Sequence, residues 1–496
     1  MNRLKIASLG GVCLGLIITS GCATKSKRNI ASEEDSLSDI IQEISSVSSN
    51  PNMTTELCRA SYSELYERLY NLAGDIAYQD MGSIAVIDGE IESSFNARIA
   101  LKDTFKKISA DPACIKSASD VFRGLRYVED YLIELRMQKA TDAPIEYVNM
   151  TGQFPYLLVN PKYKDQFKSY KDLQSGDVVL SRGNAFSSAA IARIGTNDYQ
   201  FSHLSFIYKD PDTKEILSTQ AHIEIGSVTA PISDDIEGAN ARSVIFRYGD
   251  ADVAHKASKT MFDHVLERQK KKDNIAYDFT MDYKNDDKLF CSEIIAHGFK
   301  AALPNEDYFP MFKSKFSPGL IPFLNAIGVP VNKTNIETLD VFAPGDIQFD
   351  PRFEMVAEWR NPKKMEDARI KDFILTKIFE RMDQANYKFD VTIPMDAQAK
   401  AIWLLRRTPA VKKVLDDKVS ATMTPAQIEV FMVLDKVGDD IYKEIEKVSL
   451  EYARPMTPKE IYTAIDDLFK EDFELYKRYK KGQDVATPIF HRYFHP

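Results

Sequence analysis

The chain has 496 residues, of which 44% are hydrophobic, and 73 acidic side chains outnumber 64 basic ones to give a formal charge of −9 at pH 7. The apolar share is that of an ordinary globular protein. A net acidic chain without a strong cluster of Lys and Arg argues against nucleic acid as a partner, and its charge serves mainly solubility.

Arg3 and Lys5 make a basic start, Ile6 to Ile18 a short apolar stretch, and Ser20 and Gly21 precede Cys22. A membrane-spanning helix needs roughly 20 apolar residues, so this core reads as an export signal. The run Ile17-Ile18-Thr19-Ser20-Gly21-Cys22 resembles the lipobox of bacterial lipoproteins, although Thr19 departs from the usual aliphatic residue. That resemblance implies loss of the signal peptide 1–21, lipid on Cys22, and a membrane held through this N-terminal anchor. Ala23 stands where an aspartate would signal inner-membrane retention, so the expected address is the outer membrane, facing the periplasm. No other segment is apolar enough to span a bilayer. Removing the signal leaves about 475 residues, enough for two or three domains.

Residues 22–53 are rich in Lys, Ser, Glu and Asp and read as a lipidated flexible stalk, with Ile40 to Ile44 an alternative start of the first helix. Residues 54–145 carry helical spacing, as in Leu65, Leu69 and Leu72 and then Val121, Leu125, Val128, Leu132 and Leu135. Of five cysteines, Cys13 leaves with the signal and Cys22 carries lipid. An exported chain meets an oxidising compartment, so Cys58 and Cys114, both in the helical stretch, are expected to form a disulfide. Cys291 is then the unpaired thiol that needs a reason.

From about 150 the pattern changes to short β-rich runs bounded by Gly, Pro, Asp and Asn: Val178 to Leu180, Phe201 to Tyr208, Ile216 to Ile225 and Ser243 to Tyr248. Helices are expected from Ser187 to Ile194, from Ala254 to Lys270 and from Ser292 to Ala302. The domain is thus α+β over 150–335, with a small antiparallel sheet. Residues 336–363 hold several prolines and read as a linker or peripheral strands. A helical domain follows over 364–496. Two of its helix starts, Thr424-Pro425-Ala426-Gln427 and Thr457-Pro458-Lys459-Glu460, place Thr at the cap, Pro at the first helical position and an acceptor three residues on. The terminal Phe490-His491-Arg492-Tyr493-Phe494-His495-Pro496 is expected to dock aromatic groups on the body.

Strand alternation puts His203, Ser205 and Ile207 on one face and Leu204, Phe206 and Tyr208 on the other. If the hairpin is symmetric about Asp210-Pro211-Asp212-Thr213, His203 lies opposite Gln220, with His222 and Glu224 further along that face. The apolar spacing of Ile294, Ile295 and Phe299 places Cys291 at a helix N-terminus, where unpaired amides and the dipole stabilise a thiolate. A nearby imidazole would activate that thiol.

The order Gly-Asp-Val-Val (176–179), Ser-His-Leu-Ser-Phe (202–206), Ile-Glu-Ile-Gly-Ser-Val (223–228), Tyr-Asp-Phe (277–279) and Phe-Cys-Ser-Glu-Ile-Ile (290–295) resembles the permuted papain-like amidases. These are relatives of the NlpC-type cell-wall hydrolases, in the YiiX-like subgroup, in which the histidine strand precedes the cysteine helix. The resemblance covers about 165–305. It implies Cys291 as nucleophile, His203 as base and Glu224 as the residue that orients the imidazole, with His222 the alternative for that last role. It also marks Tyr277-Asp278-Phe279 and Asp286-Asp287 as site-shaping residues. The implied reaction is acyl transfer through a thioester, on cell-wall (peptidoglycan) peptides, and no metal or other cofactor is required. Related permuted folds imply an alternative on acyl lipids, as acyltransferase, thioesterase or phospholipase. A catalytically inactive binding lipoprotein is the third reading.

Overall fold

The computed structural model describes residues 36–72, 81–108, 111–140, 150–233, 240–281, 287–305, 314–339, 341–406 and 422–496. The expected signal peptide, the lipid on Cys22 and Asp286 lie outside the described residues. Residues Ser36–Pro496 form one compact unit. It is mixed α+β, an antiparallel sheet with helical flanks, and among the described residues no helix is long and apolar enough to cross a membrane.

The first flank has four helices: α1 (Leu37–Ser48), α2 (Thr55–Leu72), α3 (Ile84–Ile108) and α4 (Pro112–Lys139). Helix α1 occupies part of the expected stalk. Ser36 caps it through the Asp39 amide, and Leu37, Ile40, Ile41 and Ile44 are buried on one face. The Cys58–Cys114 disulfide ties α2 to α4, with Cα atoms 5.6 Å apart.

Seven strands follow: β1 (Leu157–Val159), β2 (Val178–Gly183), β3 (His203–Lys209), β4 (Ile216–His222), β5 (Gly226–Pro231), β6 (Asn240–Tyr248) and β7 (Phe353–Arg360). Their order in the sheet is β1-β7-β6-β2-β3-β4-β5, and every neighbouring pair is antiparallel. The stretch 336–363, expected as a linker or peripheral strands, therefore contributes an interior strand, β7. Its alternation was masked because Glu358 and Arg360 sit at fully buried positions beside Trp359. Both are neutralised there. Glu358 pairs with Arg98 of α3 at 2.7 Å and Arg126 of α4 at 2.9 Å, and Arg360 pairs with Glu129 and Asp130 of α4 at 2.7 and 2.6 Å. Charge thus joins apolar packing in fixing the first helical flank to the sheet.

One sheet face, with Leu180, Leu204 and Phe206, packs under α6 (Ala251–Lys270) and α7 (Cys291–Ala302). Gly298 lets α7 come close. A Cβ there would lie 2.8 Å from both the Ala257 carbonyl oxygen and the Phe206 ring. The opposite face buries Val179, Ile207, Ile245, Val356 and Trp359.

The second flank comprises the short α8 (Ile321–Ile327), α9 (Pro362–Ala385), α10 (Ile393–Leu405), α11 (Pro425–Ser449) and α12 (Pro458–Lys480). Thr424 and Thr457 form the expected reciprocal caps with Gln427 and Glu460. The terminal aromatic segment docks as expected, with Phe490 and Phe494 fully buried. His491 adds a buried bridge, Nδ1 to Asp472 at 2.9 Å and Nε2 to the Tyr387 hydroxyl at 3.2 Å.

Candidate active site

The β3–β4 hairpin decides which polar groups face His203. Phe206 pairs with Thr219 and Lys209 with Ile216, so the turn is centred one residue later than Asp210–Thr213 implies. Lys214 adopts a left-handed φ of 62° and donates its amide to the Asp210 carbonyl at 3.0 Å. A turn moved by one residue moves the register by two, which preserves the face. The polar row therefore still meets His203, although the register, continued along the strands, sets His222 rather than Gln220 directly across from it.

Gln220 holds the imidazole. Its Oε1 lies 2.8 Å from His203 Nε2 and accepts from Ser205 Oγ at 3.2 Å, while its Nε2 donates to Ser218 Oγ at 3.3 Å. Since Oε1 only accepts, His203 carries its proton on Nε2, which leaves Nδ1 for the thiol. This is the contact expected of Glu224 or His222. Glu224 lies instead in the Ile223–Ile225 turn between β4 and β5, lining the same cavity. His222 stacks its ring on that of His203, 5.2 Å between centroids at 22°. Burial, then the nearby charge of His203, holds the His222 pKa at about 3, so this ring stays neutral.

Cys291 is the first residue of α7, free and 4% exposed. Burial raises its pKa, but the hydrogen bond and charge of His203, followed by the Leu204 amide and the Ser292 hydroxyl, bring it below the ordinary thiol value. Glu293 steadies the start of the helix by accepting from the Phe290 amide at 2.6 Å. The first amides of a helix have no intrahelical acceptor, so those at Cys291 and Ser292 are available to charge that develops at the start of α7.

Tyr277, expected to shape the site, does line it. Burial first, and then the negative charges of Cys291, Glu224, Glu293 and Asp278, lift its pKa well above the ordinary phenol, so it remains a proton donor. Asp278 accepts from the Thr280 amide at 2.9 Å and its hydroxyl at 2.7 Å.

Two spaces meet at Cys291. The first, of about 310 Å³, is lined by His203, Gln220 and His222, by five serines, and by Asn240 and Glu224. Among the described residues around it there is no Lys or Arg. The second is a narrow slot of about 60 Å³ between α5 (Phe186–Arg193) and the second flank, lined by Ala190, Phe290, Phe316, Phe323, Phe342 and Phe431 among others. Cys291 and Tyr277 border both; His203 and Gln220 border only the first. Sequence reasoning put Cys291 at the start of its helix and His203 beside the polar row, but named Glu224 or His222, not Gln220, as the partner of the ring. The slot left no local signal, because its walls come from segments more than 200 residues apart.

No family model, curated protein or solved structure matches the chain.

Proposed function

We propose that the protein is a cysteine hydrolase that transfers an acyl group to water through a thioester on Cys291. The observation that carries this reading is the buried free thiol at the start of α7, paired with His203, whose far nitrogen is held by Gln220. Each member has one task. Gln220 fixes the tautomer and plane of the ring. His203 keeps Cys291 as a thiolate and then protonates the leaving group. The opening amides of α7 receive the negative charge of the tetrahedral intermediate. The histidine strand precedes the cysteine helix, in keeping with a permuted papain-like arrangement.

The expected address, an outer-membrane lipoprotein anchored through Cys22 and facing the periplasm, would bring the site within reach of cell-wall peptides. An amidase or peptidase-like activity on those peptides is the first reading of the substrate. The apolar slot beside Cys291 favours the second, hydrolysis of acylated lipids.

The test compares the full chain with its Cys291→Ala variant on peptidoglycan peptides and, separately, on acyl lipids, with products read by mass spectrometry. A product formed by the wild type and absent with the variant is expected. If neither pool changes and Cys291 alkylates no faster than a free thiol, the reading falls, and a binding role for the lipoprotein replaces it. In the producing cells, labelled palmitate is expected on the wild type and not on a Cys22→Ala variant. Equal labelling would remove the anchor.

A further inference from the structure

Resting on the hydrolase reading above, we infer that the substrate of this site is an aliphatic acyl chain carried on an uncharged polar head. The chain occupies the aromatic slot, and the head lies in the serine-lined cavity.

The assignment of the two spaces follows from where the base stands. In acyl transfer from a thiolate, the group that protonates the leaving atom must be on the leaving-group side of the sulfur. His203 borders the polar cavity and not the slot. The leaving group therefore belongs with Ser181, Ser205 and Asn240, and the acyl part belongs on the far side of Cys291, where the slot begins. That slot offers aromatic and aliphatic walls and almost no polar surface, so a peptide backbone entering it would lose its hydrogen bonds to water without replacement, at about 1–3 kcal/mol per unpaired group. A methylene chain instead gains roughly 0.8 kcal/mol per buried group. At about 60 Å³ the slot admits on the order of five water-sized groups. It suits a linear chain of moderate length.

The polar cavity selects the head in the same way. Its described lining offers hydroxyls and amides, one carboxylate, a neutral imidazole at His222, and the His203 imidazole, whose charge is already matched by the Cys291 thiolate. A phosphate or carboxylate on the head would meet Glu224 and find no Lys or Arg to pair with. A glycerol or sugar hydroxyl would find serine partners.

The chemistry balances with water as the only co-reactant. The Cys291 thiolate attacks the acyl carbon, forming a C–S bond, and the bond from that carbon to the head breaks as His203 gives its proton to the leaving atom. Water then adds to the thioester and yields a proton to His203. The C–S bond breaks, and the fatty acid leaves.

The test uses the full chain with monoacylglycerols of increasing acyl length, from acetyl through butyryl and hexanoyl to octanoyl, each also presented as the glycerol phosphate ester. We expect Cys291-dependent kcat/KM to rise at least about tenfold from acetyl to hexanoyl or octanoyl, as the transfer free energy of a few methylenes requires. The neutral head should be preferred over the phosphorylated one. Filling the slot with Ala190→Leu should move the optimum to shorter chains, and opening it with Phe431→Ala should move it to longer ones. Phe431 is only half-buried, so the second variant keeps the test alive if the first does not fold. A rate that is flat or falls with chain length, an optimum unmoved by the folded variants, or a preference for the phosphorylated head overturns the inference. Cys291-dependent cleavage of peptides with no ester turnover also overturns it while leaving the hydrolase reading intact. Absence of Cys291-dependent turnover on every substrate takes both down.

Discussion

Replacing His203 with alanine should raise the pH at which Cys291 becomes reactive and lower turnover about 10²–10⁴-fold, the usual scale for a positioned acid–base group. The sign follows from the influences on the thiol. Burial is the largest and pushes the pKa up; His203, through its hydrogen bond and its charge, is the next and pushes it down. In the wild type the net result lies below the ordinary thiol, so the rate of alkylation by iodoacetamide should rise with pH through a midpoint below about 8.5. Without His203 the burial remains and the compensation is gone, so the midpoint should move above that value. The measurement needs no substrate. Equal midpoints in the two proteins would mean that His203 and Cys291 do not form a working pair, however close they lie.

The same series ranks the orienting residues. Gln220→Ala frees the ring at Nε2 and should cost more turnover than Glu224→Ala, because the 2.8 Å bond to the imidazole is made by Gln220. A larger loss at Glu224 would return the orienting role to the carboxylate.

What the sequence made legible here had local causes. The Thr-Pro caps at 424 and 457 are complete within four residues, and the structure forms both. The start of α7 at Cys291 follows from the spacing of Ile294, Ile295 and Phe299, and the alternation of β3 correctly separated Ser205 and Ile207 from Leu204 and Phe206. The register of the hairpin turned on one residue, Lys214, entering the left-handed region, and nothing in its composition demands that; glycine or asparagine would have announced it. Hence the symmetric hairpin sets Gln220 straight across from His203, where the observed register, continued along the strands, sets His222; the choice of Glu224 came from the family resemblance and not from the hairpin. Strand β7 was lost for a different reason. Patterning reads a charge as a solvent position, and β7 places Glu358 and Arg360 in the interior. Their partners, Arg98, Arg126, Glu129 and Asp130, lie more than 200 residues earlier in helices whose charged residues look like ordinary exposed faces.

That buried charge layer carries the largest stability effect expected of any single substitution. Glu358→Ala removes one carboxylate from among Arg98, Arg126 and Arg360, all with fully buried side chains and within 2.9 Å of it. Breaking a buried pair by removing one partner costs about 3–5 kcal/mol, because a desolvated charge is left without compensation. Against a typical total of about 5–15 kcal/mol, the urea midpoint should fall steeply with the slope unchanged. The control is Asp263 on α6, which pairs with Lys259 at 2.5 Å, both side chains being about half exposed. Asp263→Ala should cost about 1 kcal/mol or less. Acid gives a second reading of the same effect. Glu358 is buried, which raises its pKa, but Arg126, Arg360 and Arg98 outweigh this and hold it well below the usual glutamate value. A depressed carboxylate contributes fully above its unfolded pKa of about 4.3 and loses that contribution only as pH falls toward the folded value. The stability gap between wild type and Glu358→Ala should therefore be constant from neutral pH to about 5 and narrow in stronger acid. A gap below 1 kcal/mol at neutral pH would show that the helices are fixed to the sheet by apolar packing alone. If the gap is as large as expected, the charge layer is what keeps β7, β6 and β2 in register and so holds His203, on the next strand, within reach of Cys291.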